Sequence, residues 1–301
     1  MFNIGLTEFV QTPWTERVRE AMFNALSKSK GIRCEKIVNY PKKNYDILIL
    51  VGIRSISKKK LDVKLLKKKT KILIEVGDDG IGFERFGEDY YFYFIPTNEP
   101  SFNHYIYLPK FIDNNFLYPE QSEKISVFVD HYKHQTERER DISIRSILYI
   151  FEKLKKYRNK IDIYFHSSKG IELNPQEITI PANKKENFKY IDFEEITKYY
   201  RRCHVFFPTH RESQGMLAQE IGACGGLTVL QNWMYPVETH YQFEHIKYDF
   251  ENFVDLDSVF EVCNREDFFK KNRDTVMRNC SISIFNQIFL KKINQILSKH
   301  C

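Results

Sequence analysis

Two apolar runs leave this chain little freedom: YDILILVGI, starting at Tyr45, and TKILIEVG, starting at Thr70. Neither alternates polar with apolar residues, so neither suits a sheet with one wet face. Near-continuous apolar strands belong in a parallel sheet covered by helices on both sides. The flanking segments agree. FNIGL from Phe2, CEKIVNY from Cys34, DYYFYFIP from Asp89 and HYIYLP from His104 read as further strands. Between the first two lies TPWTERVREAMFNALSKSKG, with Val18, Met22 and Leu26 at helical spacing, a Pro near its start and Gly31 at its end. This β-α-β alternation predicts a doubly wound α/β domain.

The periodicity then stops. YLPKFIDNNFLYPEQSEK, from Tyr107 to Lys124, clusters Pro, Asp and Asn and marks a domain boundary. A second alternating series follows. KISVFVDHY, KIDIYFHS, HVFFPT and GLTVLQNW read as strands, with EITIPAN and FKYIDF as shorter extended pieces. DISIRSILYIFEKLKKYRN, DFEEITKYYRRC and GMLAQEIGAC read as helices, and the tail SISIFNQIFLKKINQILSKHC as an amphipathic one. The expected plan is a reduced N-terminal domain over 1–118, a second α/β domain over 119–281 and a C-terminal helix over 282–301. Ligands of such sheets sit at the carboxyl ends of the strands, and with two domains the cleft between them is the expected site.

Composition narrows the class. The chain has 301 residues, 42% apolar and 29% charged, which suits a globular protein with a sizeable core. No apolar run approaches the roughly 18 residues of a membrane span, and MFNIGLTEFVQTPW lacks the pattern of a signal peptide. Six cysteines are scattered without a C-x-x-C pair, so neither a metal site nor a disulfide framework is expected and a reducing cytoplasm is. The net charge is +6, and SKKKLDVKLLKKKTK, from Ser57 to Lys71, carries much of it. Such a run reads equally as a solvated helix face and as a surface for anionic lipid, nucleic acid or a phosphorylated acceptor. The expected location is cytoplasmic, with peripheral contact at the inner face of the membrane.

The most informative stretch is THRESQGMLAQEIGACGG, from Thr209 to Gly226. It follows the strand HVFFP, opens a helix at Gly215 and closes it with two glycines. The backbone N–H groups of Met216 and Leu217 at such a helix mouth suit a diphosphate, and Gly215 permits close approach. Glu212 lies on the loop, beside His210 and Ser213, where it would accept from sugar hydroxyls. Glu220 lies one to two turns into the helix, where its two carboxylate oxygens suit the vicinal diol of a ribose.

The spacing of Glu212 and Glu220, the trailing GACGG and the strand LTVL resemble the donor-site signature of retaining glycosyltransferases of the family 4 kind, which have the two-domain GT-B fold. Pro109, Asp113, Phe116 and Pro119 resemble that family's inter-domain link. The resemblance implies a fold of two Rossmann-like domains with the active site in the inter-domain cleft. It implies transfer of a sugar from a UDP- or GDP-linked donor to an acceptor hydroxyl, with retention and without metal or cofactor, in surface polysaccharide synthesis. Glu212 would contact the donor sugar and Glu220 the ribose. Lys133, with Arg138 behind it, would stabilise the departing diphosphate, and Asp78 marks a first-domain strand end near the substrate. The implied acceptor is a carbohydrate or a lipid-linked glycan. Gln214 replaces the family's Phe, and its first-domain Gly-rich loop is reduced to GLTEF. Two alternatives follow: a glucosyltransferase acting on modified DNA, and a degenerate nucleotide-binding scaffold. Asp255 and Asp257 form a D-x-D pattern that reads as a helix cap rather than a metal site.

Overall fold

A computed structural model describes residues 1–8, 13–38, 40–51, 62–77, 90–94, 105–108, 111–113, 115–131, 137–167, 193–209, 216–232 and 243–300. The chain divides into two compact units, Met1–Phe111 with Ile282–Cys301, and Ile112–Ser281.

The first unit contains β1 (Phe2–Glu8), α1 (Pro13–Ser27), β2 (Ile32–Val38), β3 (Tyr45–Val51), α2 (Val63–Lys67), β4 (Thr70–Gly77), β5 (Tyr90–Phe94) and β6 (Tyr105–Tyr107). The strands form one parallel sheet in the order β2-β1-β3-β4-β5-β6. Pro13 opens α1, where its missing N–H costs nothing. α1 stops at Ser27, before the expected end, and Gly31 (φ 79°) serves the turn into β2. Alternate strand residues Ile4, Leu6, Ile47, Ile49, Ile72 and Ile74 bury one face under Val18, Met22 and Leu26 of α1. The same face receives Phe285, Phe289, Ile293 and Leu297 of the C-terminal helix α8 (Ile282–His300), so the tail completes this unit's core. Of the Lys-rich run, Val63–Lys67 is helical, with Asp62 capping it by accepting from the Leu65 N–H at 2.9 Å. No helix among the described residues is long and apolar enough to cross a membrane.

The second unit contains β7 (Ile125–His131), α3 (Glu137–Leu154), β8 (Ile161–Ser167), α4 (Phe193–Arg201), β9 (Val205–Pro208), α5 (Met216–Ala223), β10 (Leu227–Gln231), β11 (His245–Tyr248), α6 (Leu256–Cys263) and α7 (Glu266–Cys280). Its sheet is also parallel, in the order β11-β10-β9-β7-β8. Val127, Val129, Val205 and Phe207 face α3 and α6, while Phe128 and Phe206 face α4, α5 and α7. Both faces are covered, as the unbroken apolar strands require.

The segment after Phe111 is fastened to this second unit. Ile112 N–H donates to Cys280 O at 2.7 Å. Arg201 Nε donates to Phe116 O at 2.7 Å, and an Arg273 amino group to Leu117 O at 2.8 Å. Residues 112–118, which the sequence alone groups with the first domain, are held here by two arginines from α4 and α7.

His204, at the start of β9, is 9% exposed and accepts from the Ser126 N–H through Nδ1 at 3.1 Å. Burial pushes its pKa below the ordinary histidine value. A histidine held neutral in the fold contributes stability that is complete above the unfolded value near 6.5. That stability is lost as pH falls through 6.5 toward the lower folded value. Urea titrations from pH 7.5 to 5 should show this fall. His204→Asn keeps an acceptor for Ser126, and it should flatten the profile; an unchanged slope in the variant would assign the effect elsewhere.

Candidate functional site

In the second sheet the winding reverses between β7 and β9. β8 lies on one side of β7, and β9, β10 and β11 lie on the other. The carboxyl ends at such a reversal form the ligand-binding edge of a doubly wound sheet. Here that edge is tightly built. Thr209, fully buried just past β9, donates its N–H at 3.1 Å and its hydroxyl at 2.7 Å to Asp130 O at the end of β7. Ser143 of α3 donates to the Thr209 hydroxyl oxygen at 3.1 Å.

On the opposite face of the same edge sits a polar row. The β7–β8 register sets Asp130 against His166, and the Asp130 carboxylate lies 2.5 Å from His166 Nδ1. Asp130 is nearly closed off at 3% side-chain exposure, against 15% for His166. Tyr200 of α4 stands edge-on to Phe128 with ring centroids 5.5 Å apart. Burial, then the negative charges of Glu220 and Asp130, push the Tyr200 hydroxyl well above its ordinary pKa. Tyr200 therefore stays protonated.

Glu220 lies in α5 and is only 6% exposed. Gln219 beside it is fully buried, and neither atom of its amide has a hydrogen-bond partner. A buried amide whose two polar atoms lack partners is costly.

The end of α5 shows why its glycines are there. Gly226 N–H donates to Ile221 O at 3.0 Å and Gly225 N–H to Gly222 O at 2.9 Å, a Schellman pair with Gly225 left-handed at φ 96°. Asn272, buried in α7, donates to Gly226 O and accepts from Glu244 N–H at 2.9 Å. Arg273 donates to Ala223 O. Cys224 is fully buried and burial pushes its thiol up, so it packs rather than reacts. These glycines set the helix end and its packing.

Of the residues singled out in the sequence, Met216 and Leu217 form the first two positions of α5, and Leu217 is half-buried. Arg138 is exposed in the first turn of α3. Asp78, Lys133, His210, Glu212, Ser213 and Gly215 lie outside the described residues. Asp255 caps α6, accepting from Asp257 N–H at 3.2 Å and Ser258 Oγ at 2.6 Å. Among the described residues no group of His, Cys, Asp and Glu has the arrangement of a metal site. The sequence reading passed over His166, Tyr200 and Asp130. The one signal for them was a His and an Asp each ending an apolar strand.

No protein-family model matches the chain, and no curated protein sequence matches it. Its fold does match solved structures. Anabaena Alr3699/HepE, in complex with UDP and glucose, is 10% identical and superposes with a TM-score of 0.64 over 98% of this chain and 100% of that one. Sucrose-phosphate synthase from Thermosynechococcus elongatus is 10% identical, with a TM-score of 0.63 over 99% and 100% of the two chains. AviGT4, a glycosyltransferase involved in avilamycin A biosynthesis, is 8% identical, with a TM-score of 0.52 over 99% of each. The chain therefore has the GT-B fold of two Rossmann-like α/β units.

Proposed function

We propose that the chain is a glycosyltransferase that moves a sugar from a UDP- or GDP-linked donor to an acceptor hydroxyl. The observation that carries this is Glu220, a carboxylate 6% exposed on the helix that follows β9, at the winding reversal of a GT-B sheet. The UDP complex of Alr3699/HepE, a protein of the same fold, adds support. A diol presents two hydroxyl donors to the two accepting oxygens of such a carboxylate.

In this reading the ribose hydroxyls donate to Glu220, and the N–H groups of Met216 and Leu217 take the diphosphate. Glu212 accepts from the donor sugar, with His210, Ser213 and Gly215 around it. As the sugar–phosphate bond breaks, negative charge grows on the leaving diphosphate. Lys133 and Arg138 oppose that charge together with the positive end of α5. The acceptor hydroxyl attacks the oxocarbenium-like sugar from the face the diphosphate leaves, which retains the anomeric configuration. No metal is needed, because side-chain cations and backbone N–H groups do its work. The proposed acceptor is a carbohydrate or lipid-linked glycan, met at the inner membrane face through the basic residues of 57–71, and Asp78 lies on the acceptor side.

Thermal unfolding against a panel of nucleoside diphosphates and nucleotide-sugars, with EDTA present, tests this. A ligand at 100 times its dissociation constant should add about 2.7 kcal/mol of stability. If no nucleotide stabilises the protein, or only with added metal, the reading fails. Product analysis by NMR then reads the anomeric configuration directly.

A further inference from the structure

We propose that the amino-terminal edge of the first unit's sheet is a docking surface for an anionic lipid bilayer. The surface is composite. Lys28, Lys30 and Arg33 span the turn from α1 into β2, Lys42 lies on the segment that leads into β3, and Lys68 and Lys71 flank the entry to β4. All six are exposed, and none is in an ion pair with a described residue. Only Lys68 and Lys71 belong to the Lys-rich run of 57–71.

Strand pairing draws these segments together. The order β2-β1-β3-β4 sets the four strand starts side by side, across three gaps of about 4.8 Å, or roughly 14 Å. Backbone bonds hold the turns in place. Gly31 O accepts from the Phe2 N–H at 2.7 Å, and Lys69 O accepts from the Tyr45 N–H at 2.8 Å. The Lys69 ammonium donates to Lys42 O at 3.3 Å. The acids nearby are committed within the fold: Glu35 accepts from Lys43 at 2.6 Å, Asp46 from the Asn3 N–H at 2.8 Å, and Asp62 caps α2. The edge keeps a surplus of positive charge on a fixed frame.

The chemistry favours lipid over nucleic acid. Five of the six cations are Lys, hydrated point charges that suit a diffuse anionic surface, whereas nucleic-acid phosphates favour the bidentate fork of Arg. Single-strand binders also stack bases on exposed aromatic rings. The exposed large apolar side chains described in this unit are Met1, Val38, Leu65 and Ile282, all aliphatic. Met1 is 91% exposed and leads into β1, so it stands between strand starts that carry the cations. An aliphatic side chain among lysines adds apolar burial at the headgroup boundary to the electrostatic attraction. This edge is the end of the sheet opposite the carboxyl ends, where ligands of doubly wound sheets bind. Attachment here is therefore separate from sugar transfer and stands whether or not the chain performs it.

The test is co-sedimentation of the full chain with phosphatidylcholine vesicles, with and without phosphatidylglycerol. Wild type should sediment only with the anionic vesicles and come off as salt rises. Lys28→Gln/Arg33→Gln/Lys42→Gln, wholly outside the Lys-rich run, should weaken partitioning about 100-fold with an unchanged melting temperature. The charge-matched control Lys160→Gln/Lys198→Gln/Lys270→Gln, at exposed positions of the second unit, should bind as wild type does. Equal losses in the two triple variants would assign binding to net charge and overturn the proposal. So would full binding by the first variant, or a wild type that ignores anionic vesicles. Duplex DNA or single-stranded RNA that binds more tightly than the vesicles and displaces the protein from them makes this a nucleic-acid surface and overturns it too. A failure of the nucleotide panel above bears on the donor-site reading alone.

Discussion

Glu220→Gln should weaken nucleoside diphosphate binding about 100-fold without lowering the melting temperature of the free protein. Two hydroxyl donors to a carboxylate contribute about 1.5 kcal/mol each beyond their solvation, about 3 kcal/mol together, or two decades in the dissociation constant. Gln keeps the length and shape of Glu, but it is uncharged and turns a donor toward one hydroxyl, so neither charge-assisted hydrogen bond survives. The effect on the free protein has the opposite sign. Glu220 is buried, and its charge and that of Asp130 act on the same Tyr200. Burial disfavours the charged form of Glu220, and neutralising it relieves that desolvation. Loss of binding together with an unchanged or raised melting temperature separates a ligand-facing carboxylate from a structural one, which would lose stability when neutralised. A variant that binds as tightly as wild type would remove Glu220 from the site.

Gly226→Ala should destabilise the second unit by about 3 kcal/mol. A Cβ at this position would stand 2.6 Å from the backbone oxygen of Cys203 and 2.6 Å from Ile221 Cγ2. The Ile side chain can give way, but Cys203 O cannot, because Cys203 leads directly into β9. Relief would have to come from shifting the start of β10, where Leu227 N–H donates to His204 O at 2.9 Å, or the Schellman turn that ends α5. Either shift strains a paired backbone. The measurement is the urea midpoint, with an unchanged slope showing that the loss is in the folded state. An unfolding free energy within about 0.3 kcal/mol of wild type would mean that the turn has room the contacts do not indicate. Because α5 carries Glu220, the variant should also lose nucleotide affinity in proportion to how far the helix end moves.

Several parts of this molecule were legible in its sequence and others were not, and the line between them is physical. Continuous apolar runs such as Ile47–Val51 fixed the parallel sheets, because such strands have no stable place with one face in water. The helix of Glu220 was equally plain from its apolar period and terminal glycines. β11 was missed: three of its four residues are half-exposed, so no apolar run announces it. α7 was missed because its fully buried stripe is Asn272, Val276 and Cys280, spaced for a helix but opened by a polar residue whose partners, Gly226 and Glu244, come from elsewhere in the chain. The tail helix was read from its amphipathic period. Which core it would complete depended on contacts between Phe285 or Phe289 and strands more than two hundred residues earlier.

The candidate site divides in the same way. The sequence by itself determined what local spacing can carry: two glutamates around a helix mouth, a turn that only glycine makes easily, and strand ends pointing toward a shared edge. The tertiary structure alone decided that Asp130 meets His166, since 36 residues separate them and only the β7–β8 register brings them together. It alone buried Glu220 and Gln219, and it alone brought Tyr200 under the influence of both Glu220 and Asp130. Periodicity reports how a residue sits relative to its own helix or strand; which groups face each other across a sheet edge is fixed by the pairing of elements far apart in the chain.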